Sequence, residues 1–148
     1  MGLRRRAITV MVLAAAAMLG CSRLGGGHAS SGSSPVAWER NLARALTRAS
    51  GEGKKVVMVD FYTDWCGWCK KLDETTLADP AVQASLRQVV SVKLDAERDG
   101  RADAERYGVE GFPTVLFLDS RGTEVARIPG YLPPGEFLEE LNDILKKA

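Results

Sequence analysis

The sequence is short of the residues on which most side-chain chemistry at neutral pH depends. It holds one histidine, His28, and three cysteines, Cys21, Cys66 and Cys69. A closed tetrahedral zinc site around Cys66 and Cys69 would have to recruit Cys21 or His28, and both lie in an N-terminal region that reads as disposable. No metal site is expected. A cysteine hydrolase needs a base to activate its thiol, and apart from His28 the chain offers no imidazole. An excess of positive charge is also missing, with 20 basic residues against 19 acidic ones. Neither nucleic acid nor a polybasic membrane contact is implied by that balance.

A membrane-spanning run is absent as well. The apolar stretch from Ala7 to Leu19 would rise about 20 Å as a helix, against a hydrocarbon core of roughly 30 Å. With Arg4, Arg5 and Arg6 before it, the stretch suits a signal peptide over residues 1–20, and the protein is expected to be exported. Loss of the three arginines turns the net charge negative. The segment ends in Met18-Leu19-Gly20-Cys21, which resembles the lipobox of bacterial lipoproteins. That resemblance implies lipidation of Cys21 and a membrane anchor on the periplasmic side of a bacterial cell envelope. Residues 21–35 are rich in Gly and Ser and too poor in apolar side chains to fold, so they read as a tether.

The remaining 36–148, drawn from a chain of 148 residues that is 45% hydrophobic, is enough for one core. Its pattern alternates. VAWERNLARALTRAS is spaced as an amphipathic helix that stops at Gly51 and Gly53, and KVVMVDFYT reads as a strand buried on both faces. CGWCKKLDETTL suits a helix, and DPAVQASLRQ starts another with Asp79 as cap and Pro80 at its first position. VVSVKLDA is a second strand, RADAERYG a short helix, TVLFLD and TEVARIPG two strands joined at Asp119–Gly122, and PPGEFLEELNDILKK a closing helix.

VDFYTDWCGWCKK, followed about forty residues later by GFPTVLFLD, resembles the thioredoxin superfamily. The continuation DETTLADPAVQASL is similar to the C-terminal periplasmic domain of transmembrane thiol:disulfide interchange proteins and to thioredoxin-like lipoproteins. The resemblance covers residues 36–148 and implies an α/β thioredoxin fold, a central mixed β-sheet flanked by α-helices. A lone Cys-x-x-Cys is a weak signal, but Trp65 before it, Asp60 six residues upstream of Cys66 and the later Gly-Phe-Pro-Thr make the combination specific.

Cys66 follows a buried strand and stands at the start of the next helix, where free N–H groups and the helix dipole favour its thiolate; it is the expected nucleophile. Cys69 lies one helical turn on and on the same face, within reach for a short disulfide, and is the expected resolving thiol. A purely structural disulfide is the competing reading, although so small a ring is a poor staple. Asp60 is an acid inside an apolar strand, where burial should raise its pKa. The resemblance implies that it exchanges a proton with the resolving thiol, against the alternative of a solvent-exposed acid at a strand end. Lys93 matches a lysine that pairs with this acid in the family, or else simply carries its amine to solvent. The resemblance further implies a cis-proline at Pro113 facing the cysteines and a Phe112 backbone free to bond an extended substrate. Trp65 is expected to shield the disulfide, or to be an ordinary core residue, and Gly67 and Trp68 to tune the dithiol and contact substrate.

The expected activity is therefore a protein-disulfide reductase that needs no cofactor, acting as a monomer between an upstream thiol donor and proteins with disulfides. A non-catalytic thioredoxin-fold docking module is the rival from another class. A reductase restricted to one client, such as an apocytochrome in cytochrome c maturation, is the narrower alternative.

Overall fold

The computed structural model describes residues 35–148, so the leader, Cys21, His28 and nearly all of the tether lie outside the described residues. Among the described residues, five strands form one sheet in the order β1-β3-β2-β4-β5. They are β1 (Trp38–Glu39), β2 (Val56–Tyr62), β3 (Val90–Asp95), β4 (Thr114–Asp119) and β5 (Glu124–Pro129). β1, β3 and β2 run parallel, while β4 and β5 are antiparallel to their neighbours. The helices are α1 (Leu42–Gly51), α2 (Gly67–Lys71), α3 (Pro80–Leu86), α4 (Arg101–Arg106) and α5 (Pro134–Lys147), with a π-helical turn, Leu72–Thr76, continuing α2.

The central strand β2 explains its own composition. Successive side chains of a strand face opposite ways, so Val57, Val59 and Phe61 enter the layer closed by α1 and α4, whereas Val56 and Met58 enter the layer closed by α3, α5 and the π turn. Both faces are covered, and the strand is apolar throughout except for Asp60. In α5, Phe137, Leu141 and Ile144 fall on one buried face at helical spacing. Each such side chain stabilises the fold by about 1.5–3 kcal/mol on burial. Asp79 caps α3, accepting from the N–H groups of Ala81 and Val82 at 2.8 and 3.1 Å ahead of Pro80, as its sequence predicts.

Two expectations need correction. The helix predicted from Val36 starts at Leu42, because Asn41 caps it, accepting from the Arg44 N–H at 2.9 Å. Upstream, Trp38 and Glu39 pair instead with Ser91 and Val92 as an edge strand. A two-residue strand is too short to show a period in sequence. The helix predicted over residues 66–77 is also not uniform. Leu77 N–H bonds Leu72 C=O, an i to i−5 bond, at 2.9 Å, and the Thr75 hydroxyl donates back to Lys71 C=O at 2.7 Å. Thr76 is drawn out of register by a 2.6 Å bond from its hydroxyl to Leu132 C=O.

Candidate active site: a disulfide and a buried ion pair

β2 ends at Tyr62, and the chain turns through Thr63–Trp65 so that Cys66 becomes the N-cap of α2. Cys66 N–H bonds Thr63 C=O at 3.1 Å, which fixes the turn. The Cys66 sulfur then accepts the Cys69 N–H at 3.0 Å. A helix N-terminus leaves such N–H groups without intrahelical partners, and a sulfur placed there gains both the bond and the dipole when it carries charge. Cys66 and Cys69 form a disulfide with an S–S length of 2.09 Å. They are only 4% and 3% exposed, so both cysteines are nearly enclosed by the fold.

Asp60, six residues before Cys66 in the central strand, is completely buried, which excludes the exposed strand-end alternative. In the parallel register Asp60 stands opposite Lys93, on the same face of the sheet. Lys93 Nζ lies 2.5 Å from Asp60 Oδ2 and 2.6 Å from Asp73 Oδ1. It is also 4.8 Å from the centroid of the Tyr62 ring. Of the two readings of Lys93, the pairing with Asp60 is the one found and the solvent-reaching amine is excluded: its side chain is 13% exposed and its charge is held by two carboxylates. Asp60 Oδ1 accepts no hydrogen bond from the described residues.

Burial pushes the Asp60 carboxyl above its ordinary value, and the Lys93 ammonium offsets only part of that rise. Burial also works to lower Lys93, yet Asp60 first and Asp73 second outweigh it and hold the ammonium above its usual value. Lys93 thus stays cationic, while Asp60 takes up a proton more readily than an exposed aspartate. Asp73 sits four residues after Cys69, in the π turn, so Lys93 ties the strand acid to the helix that carries the cysteines. Sequence reasoning missed Asp73; a charged residue one turn beyond a Cys-x-x-Cys, within a helix continuing that motif, was the available signal.

The rim is aromatic. Trp65 is 67% exposed, which excludes a core role; its ring meets Phe112 edge-on at 6.1 Å, and its Nε1–H donates to Glu97 at 3.1 Å. Trp68 is 57% exposed. The Phe112–Pro113 peptide bond is cis. Pro113 C=O accepts from Gly130 N–H at 2.8 Å, extending the β4–β5 ladder up to the rim. Gly130 has φ +87°, a conformation in which other residues are strained. Among the described residues, the backbone of Phe112 enters none of the loop hydrogen bonds.

A mixed sheet in this order, with a Cys-x-x-Cys disulfide at the start of the helix after its central strand, is a thioredoxin fold. The thioredoxin-like domain profile matches residues 42–145, and the chain belongs to that family. The chain is 34% identical over 124 residues to the thiol:disulfide interchange protein DsbD of Actinobacillus pleuropneumoniae, an alignment covering 79% of this chain and 21% of the relative. It thus spans about a fifth of the length of that curated relative. Among solved structures, it resembles a thioredoxin from Thermus thermophilus, with a TM-score of 0.67 and 32% identity over 75% of this chain and 88% of the other. It also resembles the reduced C-terminal domain of DsbD from Neisseria meningitidis, with a TM-score of 0.60 and 27% identity over 68% of this chain and 90% of the other.

Proposed function

We propose that the protein is an exported thiol:disulfide oxidoreductase that reduces disulfides in other proteins. One observation carries the reading: a disulfide whose first sulfur accepts a helix N-terminal N–H at 3.0 Å, on a helix whose continuation is tied through Asp73 to a buried Asp60–Lys93 pair. In the reduced protein the Cys66 thiolate attacks one sulfur of a substrate disulfide, and the other substrate sulfur leaves as a thiolate. Cys69, after giving up its proton, attacks Cys66 Sγ in the mixed disulfide. The second substrate thiolate departs, two electrons have passed to the substrate, and the Cys66–Cys69 disulfide is formed. An upstream dithiol restores the reduced form. Asp60 serves as the proton acceptor for Cys69, for which its raised pKa suits it. Trp65, Gly67, Trp68, Phe112 and Pro113 form the surface on which the substrate segment lies, with Phe112 offering its backbone to an extended strand.

Thiol:disulfide exchange is supported by the likeness to proteins named thiol:disulfide interchange protein. Outward electron flow is supported by the short path between Cys69 and Pro113, which holds one compact helix, strand and helix and no large helical insertion. Residues 1–20 act as a leader, Cys21 carries the lipid, residues 21–35 tether the domain 36–148 off a membrane on the periplasmic side, and the protein works as a monomer. Reduction of insulin by the wild-type protein, and its loss in Cys66→Ser, tests the activity. A wild-type protein that leaves insulin intact in the presence of a dithiol donor would favour the docking-module alternative.

A further inference from the structure

The two tryptophans at the rim are supported unequally. Trp65 leans on Phe112 and Glu97, whereas Trp68 belongs to a built cluster. Its ring lies 5.5 Å from that of Tyr131, tilted by 36°. Lys71 Nζ stands 4.8 Å from the Trp68 ring centroid and 4.9 Å from that of Tyr131. The Tyr131 hydroxyl is 3.2 Å from Thr75 Oγ1, and the neighbouring Leu132 carbonyl accepts from Thr76 at 2.6 Å. Trp68, Lys71 and Thr75 are spaced to share one side of the helical run, so the chain after β5 is latched along the helix that carries the cysteines. A ring fixed in this way loses little freedom when a ligand arrives.

Between this wall and the proline segment lies a cleft of about 290 Å³ lined by Trp68, Phe112, Pro113, Gly130 and Tyr131. Gly130 contributes no side chain to this wall, and its φ of +87° is one that other residues adopt only with strain. Three of the five lining residues are aromatic and none is charged, which fits an apolar ring better than a polar group. At its edge, Lys71 makes none of the ion pairs of the described residues. The faces of two rings attract its ammonium but leave its charge uncompensated.

We infer that Trp68, Tyr131 and Lys71 form a specificity pocket for disulfide substrates that present an aromatic side chain beside the attacked cysteine, followed by a carboxylate. This rests on the oxidoreductase reading above and goes beyond it in naming the sequence around the substrate cysteine. The aromatic ring enters the cleft against Trp68 and Tyr131, and the carboxylate pairs with Lys71. The exchange itself is unchanged: reduced protein and a peptide disulfide give oxidised protein and two peptide thiols.

The test is single-turnover reduction by the pre-reduced full chain, purified in detergent, of four pentapeptides supplied as symmetrical disulfides. They carry Phe or Ala beside the cysteine, followed by Glu or Lys, and quenched samples are resolved by chromatography. The wild type should reduce the Phe peptides about tenfold faster in second-order rate than the Ala peptides. Glu should be favoured over Lys by about two- to fivefold at low salt, a margin that shrinks as salt is added. Tyr131→Ala should collapse the Phe preference to within about twofold, and Tyr131→Phe, which keeps the ring, should retain it. Lys71→Met should abolish the Glu preference and its salt dependence while the Phe preference persists. Equal rates for all four peptides with the wild type would overturn the pocket and leave the oxidoreductase reading standing; reduction of none would overturn both.

Discussion

Removing the cation that pairs with Asp60 should be costly, and the cost should depend on pH. In Lys93→Met the aliphatic stem is kept and the ammonium is lost, leaving Asp60 fully buried with Oδ1 already without a partner and Oδ2 deprived of its 2.5 Å contact. Breaking one side of a buried pair costs about 3–5 kcal/mol when the remaining charge has no way out. Asp73, 41% exposed, adds less than about 1 kcal/mol because water takes over its charge. The sign with pH follows from the raised Asp60 carboxyl. Its folded-state pKa lies above its unfolded one, so its stabilising contribution is fully present below the ordinary aspartate value and is lost as pH rises through the folded value. Without Lys93 the folded value climbs further, and the loss extends to higher pH. Denaturant unfolding of the oxidised variant should therefore show a deficit of about 3 kcal/mol or more at pH 7 that shrinks toward pH 4. Asp60→Asn/Lys93→Met, which removes both charges, should recover most of it. A pH 7 deficit below about 1 kcal/mol, or one that is the same at pH 4, would mean that Lys93 does not hold the Asp60 charge.

Asp60→Asn alone should flatten the wild-type decline in stability as pH rises above the aspartate range, while slowing release of the mixed disulfide by on the order of 10² near neutral pH. Rapid-quench kinetics on both proteins would show it; an unchanged release rate would remove Asp60 from proton transfer. Cys69→Ser should accumulate covalent complexes with substrate proteins that dissolve in reductant, and Cys66→Ser should not; non-reducing electrophoresis showing the reverse would exchange the two roles. Cys21→Ala should move the protein from the membrane to the soluble fraction, with mass spectrometry of the wild type showing an acylated cysteine. An unmodified wild-type N-terminus beyond Cys21 would contradict the anchor.

The parts of the site that one segment encodes were readable, and the parts that need two segments mostly were not. The unbroken apolar run of β2 announces a strand covered on both faces, and Asp60 within it stands out because a charge there needs a partner. Its partner Lys93 is indicated by the family resemblance alone, because the parallel register that sets the two residues opposite each other is contained in no local pattern. Asp73 and Tyr131 are further examples. Asp73 reaches Lys93 across 20 positions, and Tyr131 meets Thr75 across 56, through a π turn whose extra residue shifts the helix face. β1 escaped for a different reason: its two residues are strand only because β3 lies beside them.

Whether electrons leave this protein for its substrates is decided by the reduction potential of Cys66–Cys69. Equilibrating the purified protein with glutathione mixtures and counting free thiols gives the value. A reductase holds its own disulfide more stable than those of its clients, because only then does its dithiol donate electrons readily. Outward flow requires a potential near the thioredoxin end, about −270 mV, with Trp68 between the cysteines; a value near about −120 mV, the strongly oxidising end, would reverse the direction.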